Sequence, residues 1–386
     1  MSVLDDIQKS FIKKESIYGP DNYKPLPVVL SKAKGVWVWD VSEKKYLDMM
    51  SGYSAVSHGH AHPVLLKTFH DQSSRLSLTS RAFYTDTLGP YLETITQMTG
   101  FEMALPMNSG AEAVETAIKS SRRWAYRTKK VEENKAEIIV AEGNFHGRTT
   151  TIISFSTDEN SRKDFGPHTP GFVAVEYGSS KAIEDAITPN TAAVIIEPIQ
   201  GEGGIIVPPD NYLNEVRAIC TKHNVLMILD EIQSGLGRTG KLFAYQHSCG
   251  QCSCGENSCD VQPDGLILGK ALGGGFMPVS VFLSSEEVLS WMDPGSHGST
   301  FGGNPLASAL AKRSLELLYE ENLIENSRVM GDYFKEQLTA LNSELIVEIR
   351  GMGLWLGVEI DQKYISGNEL SKTLLEAGIL CKETHE

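Results

Sequence analysis

The chain has 386 residues, enough for a large core arranged as two domains, or as one large domain with a smaller partner. Hydrophobic residues make up 41% and charged residues 22%, the balance of an ordinary soluble globular protein. Lys plus Arg number 35 against 49 Asp plus Glu, and the formal charge of −14 argues against a nucleic-acid or anionic-membrane partner.

From the N-terminus, MSVLDDIQKSFIKKES mixes acids with lysines and has neither an apolar signal core nor an arginine. It therefore reads as neither a secretory signal nor a transit peptide. No stretch is long and apolar enough to span a membrane, and a cytoplasmic protein is expected. His58, His60 and His62 alternate in HGHAHP. Metal ligation is one reading, but the interposed glycine and the following proline suit a turn better. Met107-Asn108-Ser109-Gly110-Ala111-Glu112-Ala113 then leads into a helical pattern with Val114, Ala117 and Ile118 on one face. Small residues at that helix start leave amides open for an anion; the alternative is a plain serine cap. In so acidic a chain, a phosphate site has to be built locally in some such way.

The apolar runs at 137–142, 192–198, 225–230 and 265–270 read as buried strands, with helical patterns such as 211–223 between them. This alternation predicts an α/β domain with a mainly parallel sheet. After the first run comes Asn144-Phe145-His146-Gly147-Arg148-Thr149. Phe145 can stack on a flat cofactor ring and Arg148 can hold a carboxylate in a bidentate fork; the alternative is a loop arginine beside a core phenylalanine. Asp230 ends one buried run and Lys270 ends another, which places both at the carboxyl edge of the sheet. A lysine and an aspartate there are what a pyridoxal phosphate enzyme needs. The lysine holds the cofactor as a Schiff base and moves protons, and the aspartate keeps the pyridine nitrogen protonated. The competing reading is a buried ion pair closing two strands.

Between them, Cys249, Cys252, Cys254 and Cys259 concentrate four of the six cysteines in one short segment. They could wrap a zinc ion, though the spacing matches no common zinc module and a loop of reduced or redox-active thiols competes. Cys220 and Cys381 read as core or surface thiols. Ser299-Thr300, between Gly298 and Gly302-Gly303, is a second hydroxyl-rich candidate for a phosphate. From about 306 the pattern is helical through 319, and strands follow at 345–350 and 353–360, the signature of a separate α+β lobe.

The strings YGPDNYKPLPVVL, SGYSAVSHGHAHP, LTSRAFY, LPMNSGAEAVETA, EGNFHGRT, EPIQGEGG, LDEIQSGLGRTG, LGKAL and HGSTFGGNPLA together resemble the class III pyridoxal phosphate aminotransferases and, within them, the ornithine aminotransferases. The resemblance runs from about Tyr18 to the end. It implies a fold type I homodimer with active sites at the subunit interface, a seven-stranded mainly parallel sheet and a smaller α+β domain. The expected division is an N-terminal segment 1–50 belonging to the small domain, a cofactor domain 51–305 with a Cys-rich insertion at 247–260, and a small domain 306–386.

Carried over residue by residue, the resemblance makes Lys270 the Schiff-base lysine, Asp230 the partner of the pyridine nitrogen and Gln233 the partner of the phenolic oxygen. Ser109, Gly110 and Ala111 would cradle the phosphate, with Ser299 and Thr300 from the neighbouring subunit, and Phe145 would stack on the ring. Tyr23 and Tyr53 match tyrosines of the ornithine pocket, Arg148 the arginine for the distal carboxylate, and Glu202 a gate glutamate that pairs with a second arginine. The implied reaction is δ-transamination between L-ornithine and 2-oxoglutarate. Alternatives are acetylornithine aminotransferase, favoured by Gly201-Glu202-Gly203-Gly204 where the ornithine enzymes usually read GEAG, and a non-catalytic pyridoxal phosphate binder with a responsive Cys loop. The segment between Arg238 and Lys270 exceeds the family norm by about the Cys-rich block. The chain also ends at Thr384-His385-Glu386, short of the strand bearing the second arginine, so the small domain is expected to be truncated and Glu202 to lack its partner.

Overall fold

The computed structural model describes residues 6–248 and 261–384. Its centre is a seven-stranded sheet in the order Met103–Met107, Ser280–Ser284, Gly265–Leu268, Leu226–Asp230, Thr191–Ile196, Glu137–Ala141, Phe172–Val175. Ser280–Ser284 runs antiparallel to both neighbours, and the remaining pairs are parallel. The expected mainly parallel sheet is thus present.

The central strands are buried along their whole length, which is why they read as unbroken apolar runs. Successive side chains feed opposite layers. Val194, Met227, Leu229, Leu266 and Leu268 join one core with Tyr212, Leu213 and Val216 of the helix Tyr212–His223. Ile195, Ile228 and Ile267 face the other way, onto Val114, Ala117 and Ile118 of the helix Gly110–Trp124. The helix Pro305–Glu320 also packs on the first core, through Ala307, Ala311, Leu315 and Leu318.

A four-stranded sheet joins the two ends of the chain: Leu30–Lys34, Trp37–Asp40 and Lys45–Asp48 are antiparallel, and Ile379–Leu380 adds in parallel to the third. Ile346–Met352 and Trp355–Ile360 form a separate hairpin. The 265–270 run stops being strand at Leu268. Gly269 is extended out of the ladder, and Lys270, at φ 44°, opens the short turn Lys270–Gly273. This early exit frees the lysine from the sheet.

The alternating histidines go to three separate partners. His58 Nε2 lies 3.0 Å from the Ser314 carbonyl, His60 Nε2 2.7 Å from Asp48 and His62 Nε2 3.2 Å from Glu321. Cys220 is buried, its thiol pushed up to about 12 by burial, and Cys381 is half-buried. Cys249, Cys252, Cys254 and Cys259 lie outside the described residues.

Candidate active site

Asp230 closes its strand at the carboxyl edge and is buried there. One carboxylate oxygen accepts from the Ile232 amide at 3.0 Å, and the other lies 2.7 Å from His146 Nδ1. His146 is buried as well, and its Nε2 has no partner among the described residues. Asp230 is therefore held by a histidine from the loop after Glu137–Ala141, and Lys270 does not pair with it as the buried-ion-pair reading would have it.

Lys270 lies half-buried beside Tyr53, with Nζ 6.0 Å from the ring centroid. Burial pulls its ammonium below the usual lysine range, against Glu202, Asp230 and Glu197, which favour the charged form. A lysine more readily neutral is a better nucleophile toward an aldehyde. Gln233 stands one turn beyond Asp230, with Nε2 3.4 Å from Glu202 Oε1. Gly201 is what makes room for it, because a Cβ there would come 2.0 Å from Gln233 Oε1.

Ser109 caps the helix Gly110–Trp124 in a reciprocal box. The Glu112 amide donates to Ser109 Oγ at 3.2 Å, and the Ser109 amide returns to Glu112 Oε2 at 2.7 Å. The cap and the anion readings are therefore compatible: the box engages Ser109, while the amides of Gly110 and Ala111 remain first-turn donors. Ser299 Oγ, in the same chain, accepts from Asn108 Nδ2 at 2.8 Å, which brings that loop beside the helix start; Thr300 is exposed.

Phe145 and Arg148 sit together, the guanidinium 5.5 Å from the ring centroid and Nη1 donating to Ser161 Oγ at 2.9 Å. They line a cavity of about 120 Å³ that also touches Glu202 and Thr384. Tyr53 is 42% exposed and Tyr23 77%, so the two tyrosines lie at the open side of the site. Burial raises the Tyr53 hydroxyl, followed by the charges of Glu202, Tyr23 and Glu383, which places those groups within electrostatic reach. A Cβ on Gly203 would come 3.2 Å from the Gly143 carbonyl. That tight approach gives a local reason for glycine in GEGG.

Two residues of the site went unassigned in the sequence. His146 stands in the segment EGNFHGRT, but nothing in its spacing announces Asp230 as its partner. Glu197 follows the buried run Thr191–Ile196 directly, the same signature that marked Asp230 and Lys270. It is buried, accepts from the Phe145 amide at 3.4 Å, and is raised well above the usual carboxyl range by burial and then by Asp230.

A lysine with a depressed ammonium, a fixed aspartate, a glutamine, an aromatic ring and open amides at a helix start converge at one sheet edge. They fit pyridoxal phosphate, and the fold and site are those of a pyridoxal phosphate enzyme. The profile of the family "Aminotransferase class-III" matches residues 18–386. An ornithine aminotransferase of Brevibacillus brevis is 52% identical over 375 residues, covering 97% of this chain and 90% of its own length. Among solved structures, the ornithine aminotransferase of Toxoplasma gondii superposes with a TM-score of 0.93 at 42% identity, covering 98% of this chain and 87% of that one. That structure carries pyridoxal phosphate at partial occupancy in its active site. An acetylornithine aminotransferase of Elizabethkingia anophelis gives 0.86 at 43% identity, covering 98% and 91%. The chain belongs to the class III aminotransferases, pyridoxal phosphate-dependent enzymes of fold type I.

Proposed function

We propose that the chain is an L-ornithine:2-oxoglutarate δ-aminotransferase, forming glutamate 5-semialdehyde and glutamate by ping-pong turnover. The observation that carries this reading is Tyr53 against Lys270, with Tyr23 and Glu202 in electrostatic reach. The match to relatives named for that activity, across almost the whole chain, supports it.

Bound pyridoxal phosphate supplies an electron sink for the substrate carbon. Lys270 Nζ would hold the cofactor at rest and, when displaced by the substrate δ-amine, carry a proton to and from that carbon. Asp230 would keep a proton on the pyridine nitrogen, oriented by His146 and the Ile232 amide. Gln233 would donate to the phenolic oxygen, Phe145 would stack on the ring, and Ser109, Gly110 and Ala111 would hold the phosphate. Burial, and then Asp230, disfavour the charged form of Glu197, which stands behind the Phe145 amide. Arg148 would take the substrate's distal carboxylate, leaving the δ-amine directed at Lys270, and Glu202 would act as the gate.

The same reading makes the protein a homodimer whose partner supplies Ser299 and Thr300 to the phosphate. The exposed Phe83, Tyr84 and Phe301, at 69%, 106% and 50%, are large apolar residues such as a subunit interface covers. Among the described residues no helix is long and apolar enough to cross a membrane.

N-acetylornithine is the competing substrate, favoured by the GEGG string. Purified enzyme given 2-oxoglutarate and either amine decides between them by trapping the aldehyde product. Ornithine should yield glutamate 5-semialdehyde at a kcat/KM at least about tenfold above that for N-acetylornithine, some 1.4 kcal/mol of discrimination. The reverse ratio assigns the acetylated substrate.

A further inference from the structure

Four consecutive residues from Ser51 to Ser54 have φ of 50°, 55°, 55° and 74°. This is a left-handed turn, and only Gly52 lacks the Cβ that disfavours it. Such backbone persists where its surroundings over-determine it. The third residue is Tyr53, whose ring lies 6.0 Å from Lys270 Nζ.

The turn is pinned at both ends. At its entry Asp48 Oδ1 accepts from the amides of Met50 at 2.9 Å and Ser51 at 3.0 Å, while Asp48 Oδ2 lies 2.7 Å from His60 Nε2. At its exit stands Arg238. Its Nη2 donates to Ser51 Oγ at 3.2 Å and to Ser57 Oγ at 2.6 Å, and Ser57 Oγ donates onward to the Ser54 carbonyl at 2.9 Å. The arginine is itself fixed from outside the turn. Nη1 donates to the Leu354 carbonyl at 3.1 Å, and the Arg238 carbonyl accepts from Ser327 Oγ at 2.7 Å. Its Nε has no partner among the described residues. A residue that merely filled space would not need one nitrogen shared between hydroxyls on either side of a strained turn. The Asp48–His60 contact also gives the central histidine of HGHAHP a place in this arrangement.

We propose that Arg238 is a positioning residue for substrate recognition: its guanidinium fork, through Ser51 and Ser57, holds the left-handed turn that sets Tyr53 beside Lys270. The inference rests on the reading of Tyr53 as an ornithine-pocket residue. Among the described residues Arg238 makes no hydrogen bond or ion pair with Lys270, Asp230 or Gln233, so its loss acts on substrate binding before it acts on proton transfer. Lysine cannot replace it, because one ammonium does not reproduce a planar fork reaching Ser51, Ser57 and Leu354 together.

The test uses the holoenzyme with Arg238→Met, Arg238→Lys, Ser57→Ala, Tyr53→Ala and the double variant Arg238→Met/Tyr53→Ala. Ornithine KM and kcat are measured with amide hydrogen exchange at Tyr53, Ala55 and Val56, which bond within the turn to Met50, Gly52 and Ser51. Arg238→Met should speed exchange at these amides and raise KM about tenfold with kcat changed less than about twofold, as expected for a lost charge-assisted hydrogen bond that orders a binding residue. Arg238→Lys should not rescue it. Ser57→Ala should shift exchange and KM in the same direction with the arginine in place, so the test survives if Arg238→Met does not fold. In the Tyr53→Ala background the Arg238 effect on KM should vanish. Unchanged exchange in both Arg238→Met and Ser57→Ala, or a KM effect that persists in full without Tyr53, overturns the proposal. Tyr53→Ala with an unchanged ornithine KM instead removes Tyr53 from the pocket reading, and the exchange data then decide whether the clamp exists.

Discussion

At the scale of single residues, the site depends on unequal treatment of charges within one sheet edge. Burial lowers the Lys270 ammonium, and the neighbouring acids only partly oppose it. A depressed pKa means that the amine becomes neutral at lower pH than an ordinary lysine. The rate at which apo-protein takes up pyridoxal phosphate should therefore rise with pH about a midpoint below the normal lysine value. A stopped-flow pH profile of the visible band measures it, and a midpoint at or above that value would contradict the electrostatics. Replacing Lys270 with alanine should lower turnover by at least about a thousandfold, the scale on which enzymes lose activity with their nucleophile. Turnover within about tenfold of wild type would remove Lys270 from the chemistry.

At the scale of elements, four of the seven central strands were legible in the sequence as apolar runs, while Met103–Met107, Phe172–Val175 and Ser280–Ser284 did not stand out. Parallel strands covered on both faces must be apolar throughout, so a charge that closes such a run stands out, as Asp230 and Lys270 do. Glu197 obeys the same rule and was passed over because Pro198 and Ile199 extend the apolar pattern past it. The His146–Asp230 contact was not legible, since it joins a loop to a strand end 84 residues away by folding alone. Nor was the left-handed turn at Ser51–Ser54, for among its four residues only Gly52 is a residue that favours that conformation. Gly201 shows how an element's close approach serves the site. Gly201→Ala should push the amide end of Gln233 away, and because that end can swing aside the effect falls on the site more than on the fold. Its readouts are weaker pyridoxal phosphate binding and a shifted visible band, with the melting temperature little changed. Wild-type binding and spectrum in that variant would show that Gln233 does not set the cofactor environment.

For the whole molecule, the proposed dimer makes a prediction that a self-contained monomer does not. Subunits carrying Lys270→Ala and subunits carrying Ser299→Ala with Thr300→Ala should each be weakly active alone. Co-expressed, half of the dimers would be mixed and one of their two sites intact, so about a quarter of wild-type activity should return. No recovery in verified mixed dimers would place Ser299 and Thr300 in their own subunit's site. The organisation of the small sheet, which joins Lys45–Asp48 to Ile379–Leu380, is equally a property of the folded whole; neither short segment announces the other. The central claim is that this site exchanges the δ-amine of free ornithine, and the most direct measurement is the visible absorbance of holoenzyme on adding L-ornithine, then, in a separate sample, N-acetylornithine. Loss of the lysine-bound cofactor band with ornithine, its return with 2-oxoglutarate, and at most a weak response to the acetylated amine are the predicted results. A band that N-acetylornithine bleaches and ornithine leaves intact would contradict the account.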